Sequence, residues 1–289
     1  MTLSELQLAI RRGRLTASLS AAVAGVGRFG LTPYVAYCEI LGEPSPRKQE
    51  LGEFMLAKAH HLEPLAIEHS ARHWGIDWTP NNETKLYEDW LCGTADAFCN
   101  KTREGLEVKN VEYGFEHWNL SSDIAQEAVP ENYLAQCLTY CLIYGVRRWH
   151  ISAVVRYDLK TWCYHVADDD VANWETMLRE WYDRHIRRRV PPAAESEADC
   201  KMMFAKSRKS VITLEHRYAD YVRTIQSARE EIKIAEANKD AAELALKLAM
   251  RENETAVIEG IPTITIEWNE TKRGRIFKLK ERLFQNENE

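Results

Sequence analysis

Apolar and polar positions change period several times along the chain, and each change predicts an element. From Leu51 to Trp74, Met55, Leu62, Leu65, Ala66 and Ile67 recur at roughly helical spacing, and Gly75 supplies a stop. Shorter runs follow. Tyr87–Cys92, Gly93–Cys99 and Leu106–Asn110 read as strands, and the turn-forming stretch 100–105 joins the last two as a hairpin. Pro130 opens a helix that runs through Tyr144 to Gly145, with proline near the first turn where its missing N–H costs nothing. Trp149–Tyr157 and Trp162–Val166 read as a second hairpin, joined near Asp158-Leu159-Lys160. The acids Asp168, Asp169 and Asp170 begin a helix carrying Trp174, Leu178, Trp181 and Ile186. Ahead of all these, Arg11–Gly30 is basic, small and punctuated by glycine.

Beyond Pro191-Pro192 the period changes again. The stretch 193–199 is the best linker, so the pattern divides the chain into 1–190 and 200–289. In the second part Leu214, Tyr218, Tyr221, Ile225, Ala228, Ile232 and Ala235 alternate steps of four and three. The stripe resumes at Ala242, Leu246 and Ala249, interrupted by Lys239. It suits either packing on a neighbouring helix or an ordinary amphipathic helix on its own domain. Asn238-Lys239-Asp240 marks a candidate break that would fold this stretch into a helical hairpin. A short strand at Ile264–Trp268 follows.

Composition narrows the classes. The 289 residues suffice for one large domain or a domain with an appendage. Lys and Arg total 38 against 44 Asp and Glu, a formal net charge of −6. That excludes a strongly basic nucleic-acid coat but not a local basic groove. No apolar run approaches the roughly 20 residues of a membrane span. Met1–Glu5 carries no signal-peptide pattern. The seven cysteines include no C-x-x-C pair, which argues against a zinc ribbon or iron–sulfur cluster and for buried thiols in a reducing cytoplasm.

Chemistry concentrates in Gly93-Thr94-Ala95-Asp96 and Glu107-Val108-Lys109. Asp96 is expected within one strand. Glu107 and Lys109, two apart in the next, face one side of it. The hairpin can bring Asp96 beside Glu107, and two adjacent carboxylates cost free energy unless a cation neutralises them. Mg²⁺ held by oxygen ligands does this, with Mn²⁺ as a substitute. The Val108 carbonyl is a further candidate ligand, and Glu63 on the preceding helix a further carboxylate. Lys109 then sits where it can orient water or neutralise charge developing on a phosphoryl group. Taken alone, the D…E-x-K letters suit a solvated acidic edge better.

The order of features is more specific. A helical glutamate, a G-T-A-D strand, an E-x-K strand and a helix with Gln136 follow one another as in the PD-(D/E)xK nuclease core. Arg11-x-Gly13-x-Leu15-Thr16-Ala17-Ser18 resembles the N-terminal signature of the YqaJ-type viral recombinase family, which includes phage lambda exonuclease. The H-L-E-P-L-A stretch around Glu63, Gly93–Asp96 and Pro130-x-x-Tyr133-x-x-Gln136 resemble its later motifs, with Ala59 where a glycine is common. The resemblance spans about Arg11–Tyr157.

It implies an α/β, restriction-endonuclease-like core with a C-terminal helical arm and a short strand tail. Asp96 and Glu107 would hold the metal, Lys109 would be the catalytic lysine and Glu63 a supporting acid. Arg11, Ser18, Thr94 and Gln136 would bind the 5′-phosphate of a DNA end, where arginine gives a bidentate grip and neutral donors fix position. The implied activity is Mg²⁺-dependent digestion of one strand of duplex DNA from a 5′-phosphorylated end. The 3′ strand left behind would pass to a single-strand annealing protein. A homo-oligomer, a trimeric ring in the best-known case, and a bacterial or phage-infected cytoplasm are also implied. The rivals are a structure-specific endonuclease of the same fold and a non-catalytic module that binds DNA ends or protein.

Other features have plainer readings. His60-His61 suits an exposed helical pair, and the Arg184, Arg187–Arg189 cluster suits a helix end as well as a phosphate contact. Tyr113 and Trp118 are the candidates for wedging a DNA end.

Overall fold

Side chains alternate along Glu104–Val111, and this strand is the centre of the fold. Leu106 is turned to one face, where it meets Ile67 and Ile76, while Glu107 and Lys109 are turned to the other. The computed structural model describes residues 5–46, 52–81, 83–156, 158–272 and 274–281. In chain order the elements are α1 (Glu5–Arg11), β1 (Leu15–Thr16), α2 (Ser20–Val23), α3 (Pro33–Leu41), α4 (Glu53–Trp74), β2 (Thr79–Pro80), β3 (Lys85–Tyr87), β4 (Leu91–Gly93), β5 (Ala97–Cys99) and β6 (Glu104–Val111). They continue with α5 (Ala125–Ala128), α6 (Glu131–Tyr144), β7 (Arg148–Val155), β8 (Asp158–His165), α7 (Asp168–Tyr182), α8 (Glu197–Met203), α9 (Ala219–Met250), β9 (Thr255–Ile258), β10 (Ile261–Thr271) and β11 (Gly274–Glu281).

Two compact units result, Met1–Ser207 and Arg208–Glu289. The first holds a five-stranded sheet in the order β2-β5-β6-β7-β8, in which β6 and β7 are parallel and the other neighbours antiparallel. The parallel pair requires a crossover, and α6 supplies it, packing its apolar length on the sheet. α4 packs against β6, β7 and β8. A smaller sheet, β1-β4-β3, carries the N-terminal segment alongside. Gly105 is needed where β6 passes β7, because a Cβ there would lie 2.2 Å from the Trp149 ring. Gly145 closes α6 in the left-handed conformation at φ 64°, as the stop after Tyr144 predicts.

Several expectations shift. Asp96 lies in a bend between β4 and β5, not within a strand, because the extended run from Gly93 to Cys99 is broken at residues 94–96. The second hairpin turns between Val155 and Asp158, ahead of the expected Asp158-Leu159-Lys160, and Arg156 has φ 57°. The stretch beginning at Cys200 does not open the second unit. α8 belongs to the first, pinned by buried Asp199, which accepts from Thr32 Oγ1 (3.0 Å) and from the backbone of Glu195 and Ser196 (3.1 Å each).

In the second unit α9 is one unbroken helix of 32 residues through Asn238-Lys239-Asp240, so no hairpin forms there. Nothing at these positions interrupts the backbone ladder, and lysine is a good helix former. The expected short strand tail is a three-stranded antiparallel sheet, β11-β10-β9, with Ile266 buried and the C-terminal residue of α9, Met250, buried as well. Cys38, Cys92, Cys99, Cys137 and Cys141 are buried free thiols, while Cys163 is half-buried and Cys200 exposed. Among the described residues no helix is long and apolar enough to cross a membrane.

Candidate active site

Two successive strands and the crossover helix converge on one point. Asp96, in its bend, turns its carboxylate toward β6 and accepts the backbone N–H of Val108 at Oδ2 (2.7 Å). Glu107, 3% exposed, points from β6 toward α6. Its Oε1 accepts from Lys109 Nζ and from Gln136 Nε2 (2.8 Å), and Gln136 Oε1 accepts from the same lysine (3.0 Å). Glu107, Lys109 and Gln136 thus form a closed triangle of charge-assisted bonds.

The other carboxylate oxygen, Glu107 Oε2, is buried with no hydrogen-bond partner. Buried carboxylate oxygens are seldom left so. Asp96 shows the same tension in its ionisation. Burial, then the charge of Glu107, push its carboxyl well above the ordinary aspartate value, against the pull of Lys109 and the Val108 N–H; Glu63 adds to the push. Burial by itself would lower Lys109, but Glu107 and Asp96 outweigh it and hold the ammonium above the usual lysine value. An oxygen-ligand divalent cation fits this pair: it satisfies Glu107 Oε2 and offsets the mutual repulsion of the carboxylates. Among the described residues no group of three or more His, Cys, Asp or Glu side chains is placed to hold a metal, so Glu63 stands outside the pair although its charge reaches Asp96.

The residues of the expected phosphate pocket meet here too. A cavity of about 250 Å³ is lined by Asp96 and Glu107 together with Arg11, Ser18, Thr94 and Gln136. Arg11 Nη2 donates to Thr94 Oγ1 (3.0 Å), while Arg11 Nε is buried with no partner. Thr94 Oγ1 also shares a hydrogen bond with Thr84 Oγ1 (2.8 Å), and Ser18 Oγ shares one with Thr16 Oγ1 (3.0 Å). A larger cavity of about 670 Å³ adjoins, sharing Arg11, Ser18 and Gln136 and adding Arg12, Arg14 and Arg28.

Sequence reasoning passed over Tyr140. Its hydroxyl donates to the Thr94 carbonyl (2.8 Å) and accepts from Gln136 Nε2 (3.1 Å), so it ties the bend to α6. The signal was present, since Tyr140 lies four residues after Gln136 and on the same helix face. Tyr133, three residues before, sets its ring 5.0 Å from Lys109 Nζ. Trp118 is buried in the main core, unavailable to a DNA end, whereas Tyr113 is 74% exposed. His61 Nδ1 bonds the Ala57 carbonyl (2.8 Å) on its own helix, and Arg187 pairs with Asp89 and Asp183.

Fold and site define the class first: an α/β nuclease core of the restriction-endonuclease, PD-(D/E)xK type, with Asp96 ahead of the Glu107-Val108-Lys109 strand. The family follows. Residues 7–147 match the model of the YqaJ-like viral recombinase domain. The chain is similar in structure to an alkaline exonuclease from Laribacter hongkongensis, with 17% identity and a TM-score of 0.49, over 64% of this chain and 95% of that one. It is also similar to a phage-related exonuclease from Haemophilus somnus, with 15% identity and a TM-score of 0.41, over 61% of this chain and 96% of that one. No curated protein matches the chain.

Proposed function

We propose that this protein is a Mg²⁺-dependent DNA exonuclease that digests one strand of a duplex from a 5′-phosphorylated end, in the 5′ to 3′ direction. The observation that carries the reading is the unpartnered buried oxygen of Glu107 beside Asp96, in a cavity shared with Arg11. Asp96, Glu107 and the Val108 carbonyl would hold the cation, with Mn²⁺ as a substitute. When bound, it supplies Lewis-acid activation of water and of the scissile phosphodiester. Lys109, held charged by Glu107 and positioned by Gln136, offsets negative charge developing on the phosphoryl oxygens. Glu63 adjusts the field at Asp96 from outside the pair. Arg11, with Ser18, Thr94 and Gln136, grips the terminal phosphate and so sets the step of digestion.

The annealing of the exposed 3′ strand by a partner protein, homo-oligomerisation and a cytoplasmic setting belong to the same reading. So does the division of labour between a nuclease core within residues 1–207 and an arm, 208–289.

Digestion of a linear duplex labelled separately at its 5′ and 3′ ends tests it, with Mg²⁺ and with EDTA. Mononucleotide release from the 5′ end, only with metal, is expected, and a circular duplex should remain intact. Cleavage of the circle would establish the endonuclease rival instead. Loss of the preference for 5′-phosphate over 5′-hydroxyl ends is expected on Arg11→Ala; an undiminished preference would remove Arg11 from the pocket.

A further inference from the structure

Every residue from 220 to 242 of α9 is exposed. Most helices draw their stability from tertiary burial, and this run has no packed face. Yet this run carries an apolar seam. Tyr221, Ile225 and Ile232 are 68%, 52% and 58% exposed. In heptad terms, Tyr218, Ile225, Ile232 and Lys239 take the a positions, and Tyr221, Ala228, Ala235 and Ala242 the d positions.

We propose that the arm pairs with the arm of a second copy of this chain as an antiparallel coiled coil, centred between Lys233 and Ile234. The composition of the seam selects this arrangement. Antiparallel pairing sets a against d, so Ile225 meets the partner's Ala242 and Ile232 meets the partner's Ala235. Lys239 meets the partner's Ala228, whose small side chain leaves its stem a path to solvent. Ile225 and Ile232 thus each face an alanine, as close packing favours, and Tyr221 meets the partner's Leu246. Parallel pairing would instead stack Lys239 on the partner's Lys239 and set Glu231 near the partner's Glu236.

Charge fixes the register. At the chosen centre Arg229 lies beside the partner's Glu236, and the pair occurs twice by symmetry. A shift of one heptad toward the N-terminus sets Arg229 against the partner's Arg229 and Glu231 against the partner's Glu231. The helix's own ion pairs use Arg223 with Asp220, Lys233 with Glu230, Lys239 with Asp240 and Lys247 with Glu243. Arg229 and Glu236 are in none of these pairs and hold no other partner among the described residues.

The test is the mass of the full chain, by light scattering and sedimentation over a dilution series. This readout is independent of nucleolysis, and the difference in mass between native and variant chains separates the arm's pairing from any assembly made by the core. Arg229→Glu alone, and Glu236→Arg alone, should each halve the assembly by raising its dissociation constant about tenfold. The double variant R229E/E236R should restore it. Circular dichroism checks that each variant keeps its helix. A native mass equal to that of the single variants at every concentration would overturn the proposal, leaving the seam to another protein or to the chain's own first unit. Failure of the double variant to restore the mass would overturn it as well.

Discussion

The surroundings of Asp96 push its carboxyl well above the ordinary aspartate value, and the consequence is measurable without any substrate. In the metal-free chain the folded state keeps this proton to higher pH than the unfolded chain does. The associated stability is therefore complete below the ordinary aspartate value and lost as pH rises through the raised one. Thermal unfolding in EDTA should show this loss, and Asp96→Asn should reduce it while raising the melting temperature at neutral pH. The same substitution, and Lys109→Ala, should lower the rate of nucleolysis about 10²–10³-fold or more. Surviving activity in either variant would remove that residue from the chemistry. Metal binding carries the complementary sign. A divalent cation takes the ionised pair, so affinity should rise up to about tenfold per pH unit below the raised value, with a proton released on binding. Titration calorimetry in two buffers of different ionisation enthalpy measures that proton directly.

The elements act by bringing local motifs to one place. β6 delivers Glu107 and Lys109 through strand alternation, and α6 delivers Gln136 and Tyr140 through helical spacing; the parallel β6–β7 pair fixes where α6 must lie. The close passage at Gly105 is part of this arrangement. Gly105→Ala should cost about 1–3 kcal/mol in denaturant unfolding, because the new methyl must displace the buried Trp149 ring. Trp149 stacks on Tyr140 with ring centroids 4.8 Å apart, so activity should fall along with stability. A neutral outcome in both measurements would mean that the ring yields at no cost.

At the scale of the whole molecule, the first unit closes its own core and holds all the site residues. Residues 1–207 expressed alone should unfold cooperatively and retain cleavage of a linear duplex. The cut must follow α8, because truncation at 190 would remove Asp199 from Thr32, at the cap of α3, and weaken that helix start. A 1–190 chain as stable as the 1–207 chain would contradict this.

Sequence by itself determined the elements with a sustained period. The long helix ending at Gly75, the helix opened by Pro130 and the E-x-K strand are local patterns, and they stand as their spacing implies. The order of motifs also placed Arg11, Ser18, Thr94, Asp96, Glu107 and Gln136 in one family scheme, and these six line one cavity. Three things were not legible. Asp96 sits in a bend, Tyr140 anchors that bend, and α9 continues through Lys239. The fold alone decided that Glu107 has one oxygen satisfied by Lys109 and Gln136 and the other left open. The physical reason is one of range. Periodicity records which face of an element is apolar, over a few residues at a time. Whether two carboxylates share a site depends on a crossover that joins residues 29 apart along the chain, and on the burial that this crossover creates.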